Sequence, residues 1–140
     1  MKKSWILLIF MGVSNNVMSA ADNPVKKLEP CPSSPNCVST LANDKQHKIE
    51  PIRYSTALAE AKQKLISVLT SLPRIDIQKD ENSYLHVTQT SLIFRFVDDV
   101  EFLFDDEQKL IQFRSASRTG YSDFGVNRER MEQIRTIMNQ

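Results

Sequence analysis

The fold is decided by the stretch IDIQKDENSYLHVTQTSLIFRFVDDVEFLFDDEQKLIQFRSAS, residues 75–117, in which apolar side chains recur at every second position. This period is typical of β-strands, because successive side chains point to opposite faces of a sheet. Five apolar stripes follow it: Ile75 and Ile77; Leu85 and Val87; Leu92, Phe94 and Phe96; Val100, Phe102 and Phe104; Ile111 and Phe113. The links between stripes are too short for crossover helices, so we predict an antiparallel meander. The pattern leaves open whether residues 84–97 form one strand or two.

Helical periodicity flanks this stretch on both sides. Before it, apolar residues recur at intervals of three and four between Ser55 and Leu72, with Ser55 as the expected N-cap and Pro73 as the stop. After it, a second helix is predicted over Val126–Met138. The pattern therefore predicts an α+β fold, in which two helices pack on one face of a sheet of about four to five strands.

The first 21 residues have the layout of a secretory signal peptide. Lys2 and Lys3 precede the apolar run Trp5–Val13, and small residues follow at positions 19–21. The run is about half the length of roughly 20 residues that spans a bilayer, and no later stretch approaches that length. We expect residues 1–21 to be removed, which would leave a periplasmic or secreted chain without a membrane span.

Residues 22–53 are predicted to form an extended arm, because they hold five of the six prolines and few large apolar residues. The α+β domain is then expected over residues 54–140. The only cysteines, Cys31 and Cys37, lie in the arm and would meet an oxidising compartment after export, so we expect them to form a disulfide. The alternatives are a reactive thiol and a zinc site, but His47 and His86 stand at spacings that match no compact zinc site.

The composition is that of an ordinary globular protein, with 41% apolar, 25% charged and 8% aromatic residues. Removing Lys2 and Lys3 from the 18 basic residues leaves 16 against 17 acidic ones, a formal charge of −1. This charge gives no electrostatic attraction to nucleic acid, so no nucleic-acid partner is expected. A base-stacking platform is therefore disfavoured, and core positions are expected for Phe94, Phe96, Phe102, Phe104 and Phe113.

Polar residues gather around a loop near the C-terminus. Gly120 and Gly125 bracket four residues between the last strand and the last helix, which indicates a loop with demanding backbone geometry. At 100° per residue, Asn127 and Arg130 share the apolar face of the last helix with Ile134. We expect a ligand-binding cluster that suits an anion, formed by Arg114, Ser115, Ser117, Arg118, Gly120, Asp123, Gly125, Asn127 and Arg130.

The same cluster has a purely structural interpretation. Arg130 would pair with Asp123 inside the protein, and the glycines would make a tight turn. Strand alternation also divides the cluster, because Arg114 and Arg118 point to one face of the sheet while Ser115 and Ser117 point to the other. If Ile111 and Phe113 face the helices, the serines join Asn127 and Arg130.

A catalytic interpretation is weaker. Ser115 or Ser117, with His86 and Asp98 or Asp99, supplies the residue types of a catalytic triad. Neither serine lies in a nucleophile-elbow sequence, and no spacing supports the set, so we expect no catalytic residue.

Two separated segments resemble a known family. SPNCVS at 34–39 and RSASRTGYSDFGVNRER at 114–130 are similar to the motifs of domain of unknown function 1499, and the resemblance runs from about Cys31 to Ile134. It implies a small exported or envelope protein of bacterial or plastid type, and it carries over no reaction, ligand or catalytic residue. The matching motif positions are Asn36, Cys37, Arg114, Ser115, Ser117, Arg118, Gly120, Asp123, Gly125, Asn127 and Arg130.

We therefore expect a non-catalytic binding or accessory domain outside the cytoplasm. Its loop 119–125 and the start of its last helix would receive an anionic group from a small molecule, a lipid head group or an envelope protein. Arg130 would be the main contact and Arg118 would lie at the rim. No cofactor and no metal are expected. The alternatives are an envelope hydrolase or transferase that uses the same cluster, and a purely structural interaction module.

Overall fold

The computed structural model of the protein describes residues 26–140 as one antiparallel sheet with two helices. In chain order its elements are β1 (Cys37–Ser39), β2 (Ile52–Arg53), α1 (Leu58–Ser71), β3 (Ile75–Glu81), β4 (Tyr84–Thr90), β5 (Val97–Asp105), β6 (Leu110–Ser117) and α2 (Val126–Met138). This arrangement confirms the predicted α+β class. The expected signal peptide, residues 1–21, lies outside the described residues.

The four long strands form the predicted meander. Each of β3, β4 and β5 pairs antiparallel with the strand that follows it, and the sheet order is β1-β6-β5-β4-β3, with β2 also paired to β6. Asp98 of β5 stands opposite Gln89 of β4 and Ser117 of β6. This register brings the end of β4, the start of β5 and the end of β6 to the same end of the sheet.

The Pro-rich arm contributes more than an extended surface segment. Its strands β1 and β2 both pair with β6, and Val38, Ile49 and Ile52 are buried in the core. The two strands are three and two residues long, too short to show a period of two in the sequence. The arm also contains the expected disulfide between Cys31 and Cys37.

Both helices pack on one face of the sheet and close a single core. Leu65 and Leu69 of α1 and Met131 and Ile134 of α2 are fully buried there. The range predicted for α2 is confirmed. The predicted N-cap of α1 is wrong, because the helix begins at Leu58 with Ala57 at the N-cap position and without a side-chain cap. No helix within residues 26–140 is long and apolar enough to cross a membrane.

The stripe at residues 92–96 is not a strand, and two of the expected core phenylalanines are exposed. Strand β4 ends at Thr90, and residues 91–96 form the loop of a hairpin. In this loop the Ser91 Oγ accepts a hydrogen bond from the Phe96 backbone N–H at 2.8 Å. Phe94 and Phe96 are 74% and 54% exposed, so their expected core position is wrong, whereas Phe102, Phe104 and Phe113 are buried as expected.

A pair of substitutions tests which phenylalanine rings belong to the core. We expect Phe102→Ala to lower the free energy of unfolding by about 3 to 5 kcal/mol, because it removes a fully buried ring from a packed core. Phe94→Ala removes the same ring from an exposed position, so we expect it to change the free energy of unfolding by less than about 0.5 kcal/mol. Urea unfolding of both variants checks this, and a large loss from Phe94→Ala would contradict the exposed loop.

Candidate functional site

The polar cluster centres on the guanidinium of Arg130, which projects from the first half of α2 against the sheet. Only 7% of Arg130 is exposed. Its Nη1 donates hydrogen bonds to the Ser115 Oγ at 3.0 Å and to the Asn127 Oδ1 at 2.8 Å. Its Nε donates to the Gln89 Oε1, and its Nη2 forms an ion pair with Asp98. All three nitrogens of the guanidinium therefore have partners inside the protein.

Asn127 is the second centre of this cluster and is completely buried. Its Oδ1 accepts a hydrogen bond from the Ser115 Oγ at 2.6 Å as well as the one from Arg130. Its Nδ2 donates to the Ser117 Oγ at 3.0 Å and to the Asp123 Oδ2 at 2.7 Å. Asn127 thus joins the end of β6 to the loop that precedes α2.

Asp123 neutralises the amino end of α2. Its carboxylate accepts hydrogen bonds from the backbone N–H groups of Gly125 at 3.0 Å and Asn127 at 2.8 Å. The first N–H groups of a helix carry partial positive charge and attract an anion. Here the chain supplies that anion itself. The pairing of Asp123 with Arg130 that the structural interpretation predicts is wrong, because Arg130 pairs with Asp98 instead.

Asn36 connects the arm to the same loop. Its Nδ2 donates a hydrogen bond to the Gly120 carbonyl at 2.7 Å, and its own carbonyl accepts one from the Ser117 N–H at 3.0 Å. Gly120 and Gly125 both adopt φ of 83°, a backbone region that side chains disfavour, so each position suits glycine. The two separated sequence motifs therefore meet in space, and their contacts fix the loop between β6 and α2.

Two of the predicted site residues lie on the opposite face of the sheet. The Arg114 Nη1 lies 3.6 Å from the Glu101 Oε2 and forms an ion pair with it. Arg118 donates two hydrogen bonds to Asp99, from Nε at 2.8 Å and from Nη2 at 2.9 Å. The remaining predicted residues are brought together on the helix side or in its loop: Ser115, Ser117, Gly120, Asp123, Gly125, Asn127 and Arg130.

Periodicity did not predict three residues that contact the cluster or its loop: Gln89, Asp98 and Asn36. Asp98 lies two and four residues before the buried Val100 and Phe102, so strand alternation could have predicted that its side chain points inward. Its pairing with Arg130 depends on how α2 lies across the sheet, which no local pattern records. We call Gln89, Asp98, Ser115, Ser117, Asp123, Asn127 and Arg130 the Arg130 network.

The residues of the considered triad do not assemble. Ser115 is fully buried and faces the helices, whereas the His86 Nε2 contacts the Asp99 Oδ1 at 2.8 Å on the other face. The Ser115 hydroxyl donates to an amide oxygen, which cannot serve as a general base at neutral pH. Within residues 26–140, no group of three or more His, Cys, Asp or Glu side chains is arranged to hold a metal ion.

Removing Arg130 tests how much stability the Arg130 network carries. We expect Arg130→Ala to lower the free energy of unfolding by about 3 to 5 kcal/mol, because Asp98 is left as a buried charge without a partner. Adding Asp98→Asn should restore part of that loss. As a control, Arg118→Ala breaks a half-exposed pair that solvent screens, and we expect it to cost much less than Arg130→Ala. Equal small losses for Arg130→Ala and Arg118→Ala would contradict this role.

The pair of Asp99 with Arg118, on the opposite face of the sheet, should make the stability of the fold depend on pH. The hydrogen bonds from Arg118, with a smaller contribution from His86, lower the pKa of Asp99 below its usual value of 3.8. A carboxyl group with a lowered folded-state pKa stabilises the fold above its unfolded-state pKa, and this stability is lost as the pH falls through the folded-state value. We expect Asp99→Asn to lower the Tm slightly at pH 7 and to flatten its decline below about pH 4. An unchanged acid dependence of the Tm would contradict this assignment.

Comparison with known proteins supplies a family. The family described as "Protein of unknown function (DUF1499)" matches residues 27–138, most of the chain and nearly all of its described part. The chain belongs to this family. No curated protein matches it.

Proposed function

We propose that this member of DUF1499 is an exported binding or accessory module, periplasmic or secreted, and that it binds a partner through the loops at one end of its sheet. Two observations support a location outside the cytoplasm. The Cys31–Cys37 disulfide suits an oxidising compartment, and the first 21 residues have the composition of a signal peptide.

The observation that carries the binding proposal is a group of large apolar side chains that the fold leaves in solvent. They lie in the hairpin loop between β4 and β5, in the loop that leads into α2 and at the first residue of α2. We call them the apolar end: Leu92, Ile93, Phe94, Phe96, Tyr121, Phe124 and Val126. Contiguous exposed apolar surface on a folded domain marks an interaction site.

Phe124 is the clearest member of the apolar end. It is 96% exposed, and its backbone has a φ of 54°. A bulky residue is disfavoured in this left-handed region, so the surrounding hydrogen bonds must hold it there. On either side of Phe124, the Asp123 carboxylate accepts hydrogen bonds from the N–H groups of Gly125 and Asn127. The Asp123 carbonyl accepts another from the Val126 N–H. The loop thus holds an apolar side chain outward at a cost in backbone energy.

The Arg130 network has a supporting part in this proposal. Asp98 and Asp123 already occupy the two places that an external anion would take, beside Arg130 and at the amino end of α2. The network holds the loop, and the loop presents the apolar end. An external anion bound by Ser115, Ser117, Asn127 and Arg130, as the sequence suggests, would have to displace Asp98 from Arg130.

Site-specific cross-linking in the source cells tests the proposal. We expect a photoreactive benzoylphenylalanine in place of Phe124 to form adducts, and the adducts to be recovered from the envelope or the medium. The control is the same residue in place of Leu41, which is 51% exposed but lies outside the apolar end. Absence of adducts at position 124, or recovery of the chain from the cytoplasm, would refute the proposal.

A further inference from the structure

We infer that the partner of the apolar end is the surface of a bilayer that contains anionic phospholipid, into which the two loops insert. This inference rests on the proposed function and names the class of partner. It draws on the placement of the loops, their charge and the shape of the surface they form.

The two loops lie side by side at one end of the sheet. The loop of residues 91–96 joins the end of β4 to the start of β5, where Thr90 pairs with Val97. The loop before α2 begins directly beside it, because the Arg118 backbone N–H donates a hydrogen bond to the Val97 carbonyl at 3.0 Å. Both loops can therefore meet one planar surface at the same time.

The side chains of these loops have the chemistry of a membrane interface. Leu92, Ile93 and Phe94 are between 69% and 78% exposed, and the rings of Phe94 and Phe96 stack at 5.6 Å. Apolar and aromatic side chains beside arginine are typical of segments that settle among lipid head groups, because the apolar part leaves water while the cation stays at the phosphate level.

The charges at this end favour an anionic surface. The exposed Arg95 lies between Phe94 and Phe96, and residues 91–96 include no acidic residue. In the second loop, the one acidic residue is Asp123, whose carboxylate is bound by the backbone of α2. Arg118 lies next to the loops, but Asp99 balances its charge, so the attraction to an anionic surface rests on Arg95. Basic residues near a surface of anionic lipid add to binding in a way that salt screens.

The shape of this surface favours a bilayer over a folded protein. Phe124 and the side chains around Phe94 protrude from two loops, and a protein partner would need a matching recess for each of them to exclude water. A bilayer needs no such matching shape, because lipids rearrange around an inserted side chain. A fluid, anionic and apolar partner therefore accounts for all three properties together.

Tryptophan fluorescence with lipid vesicles tests the inference. The exported chain carrying Phe94→Trp is mixed with phosphatidylcholine vesicles that contain phosphatidylglycerol, and the control carries Leu41→Trp. We expect the emission of Phe94→Trp to move to shorter wavelength and that of Leu41→Trp to stay unchanged. In the Phe94→Trp background, Arg95→Gln should weaken binding roughly fivefold. The matched control, Arg53→Gln at the far end of the sheet, should leave binding unchanged.

The outcomes separate this inference from the proposed function. No emission shift, an equal shift in the Leu41→Trp control, or equal binding to vesicles of phosphatidylcholine alone would overturn the anionic bilayer as partner. If cross-linking at Phe124 then yields protein adducts, the binding module stands and its partner is a protein. If cross-linking also yields nothing, the proposed function fails with it.

Discussion

The structure around the last loop depends on one constraint: a guanidinium removed from water must keep a counter-charge and its hydrogen bonds. Arg130 meets this constraint only when four elements converge, because its partners are Gln89 of β4, Asp98 of β5, Ser115 of β6 and Asn127 of α2. A shift of α2 along the sheet would leave a buried charge without a partner. The ion pair therefore specifies where the helix lies, which apolar packing alone specifies less sharply.

The same constraint extends outward to the surface. Asn127 of α2 donates a hydrogen bond to Asp123 and so positions one side of the loop. Asn36 donates one to the Gly120 carbonyl and positions the other side. Phe124 stands between these two anchors, almost fully exposed. The polar interior and the apolar exterior of this end are, in our interpretation, two parts of one arrangement.

Periodicity alone predicted the meander, the range of α2, and the inward position of Asn127 and Arg130, because these features follow from side-chain direction along regular elements. It failed where regular structure stops. Phe94 and Phe96 continue the strand pattern, yet they lie in a loop. Ser91 and Phe96 close this loop with hydrogen bonds, and Arg95 between the two phenylalanines has a left-handed backbone. The choice of Asp98 over Asp123 as the partner of Arg130 depends on tertiary placement, which a one-dimensional pattern does not contain.

The central claim is that the chain supplies its own anion to Arg130 and leaves the apolar end for contact with a partner. Proton NMR of the Arg130 Nε–H at neutral pH, during a titration with sulfate, tests this claim directly. We predict a resonance that exchanges slowly with water and does not move as sulfate is added, since the guanidinium is buried and paired with Asp98. A rapidly exchanging resonance that shifts with sulfate would show an open anion site and would contradict the account.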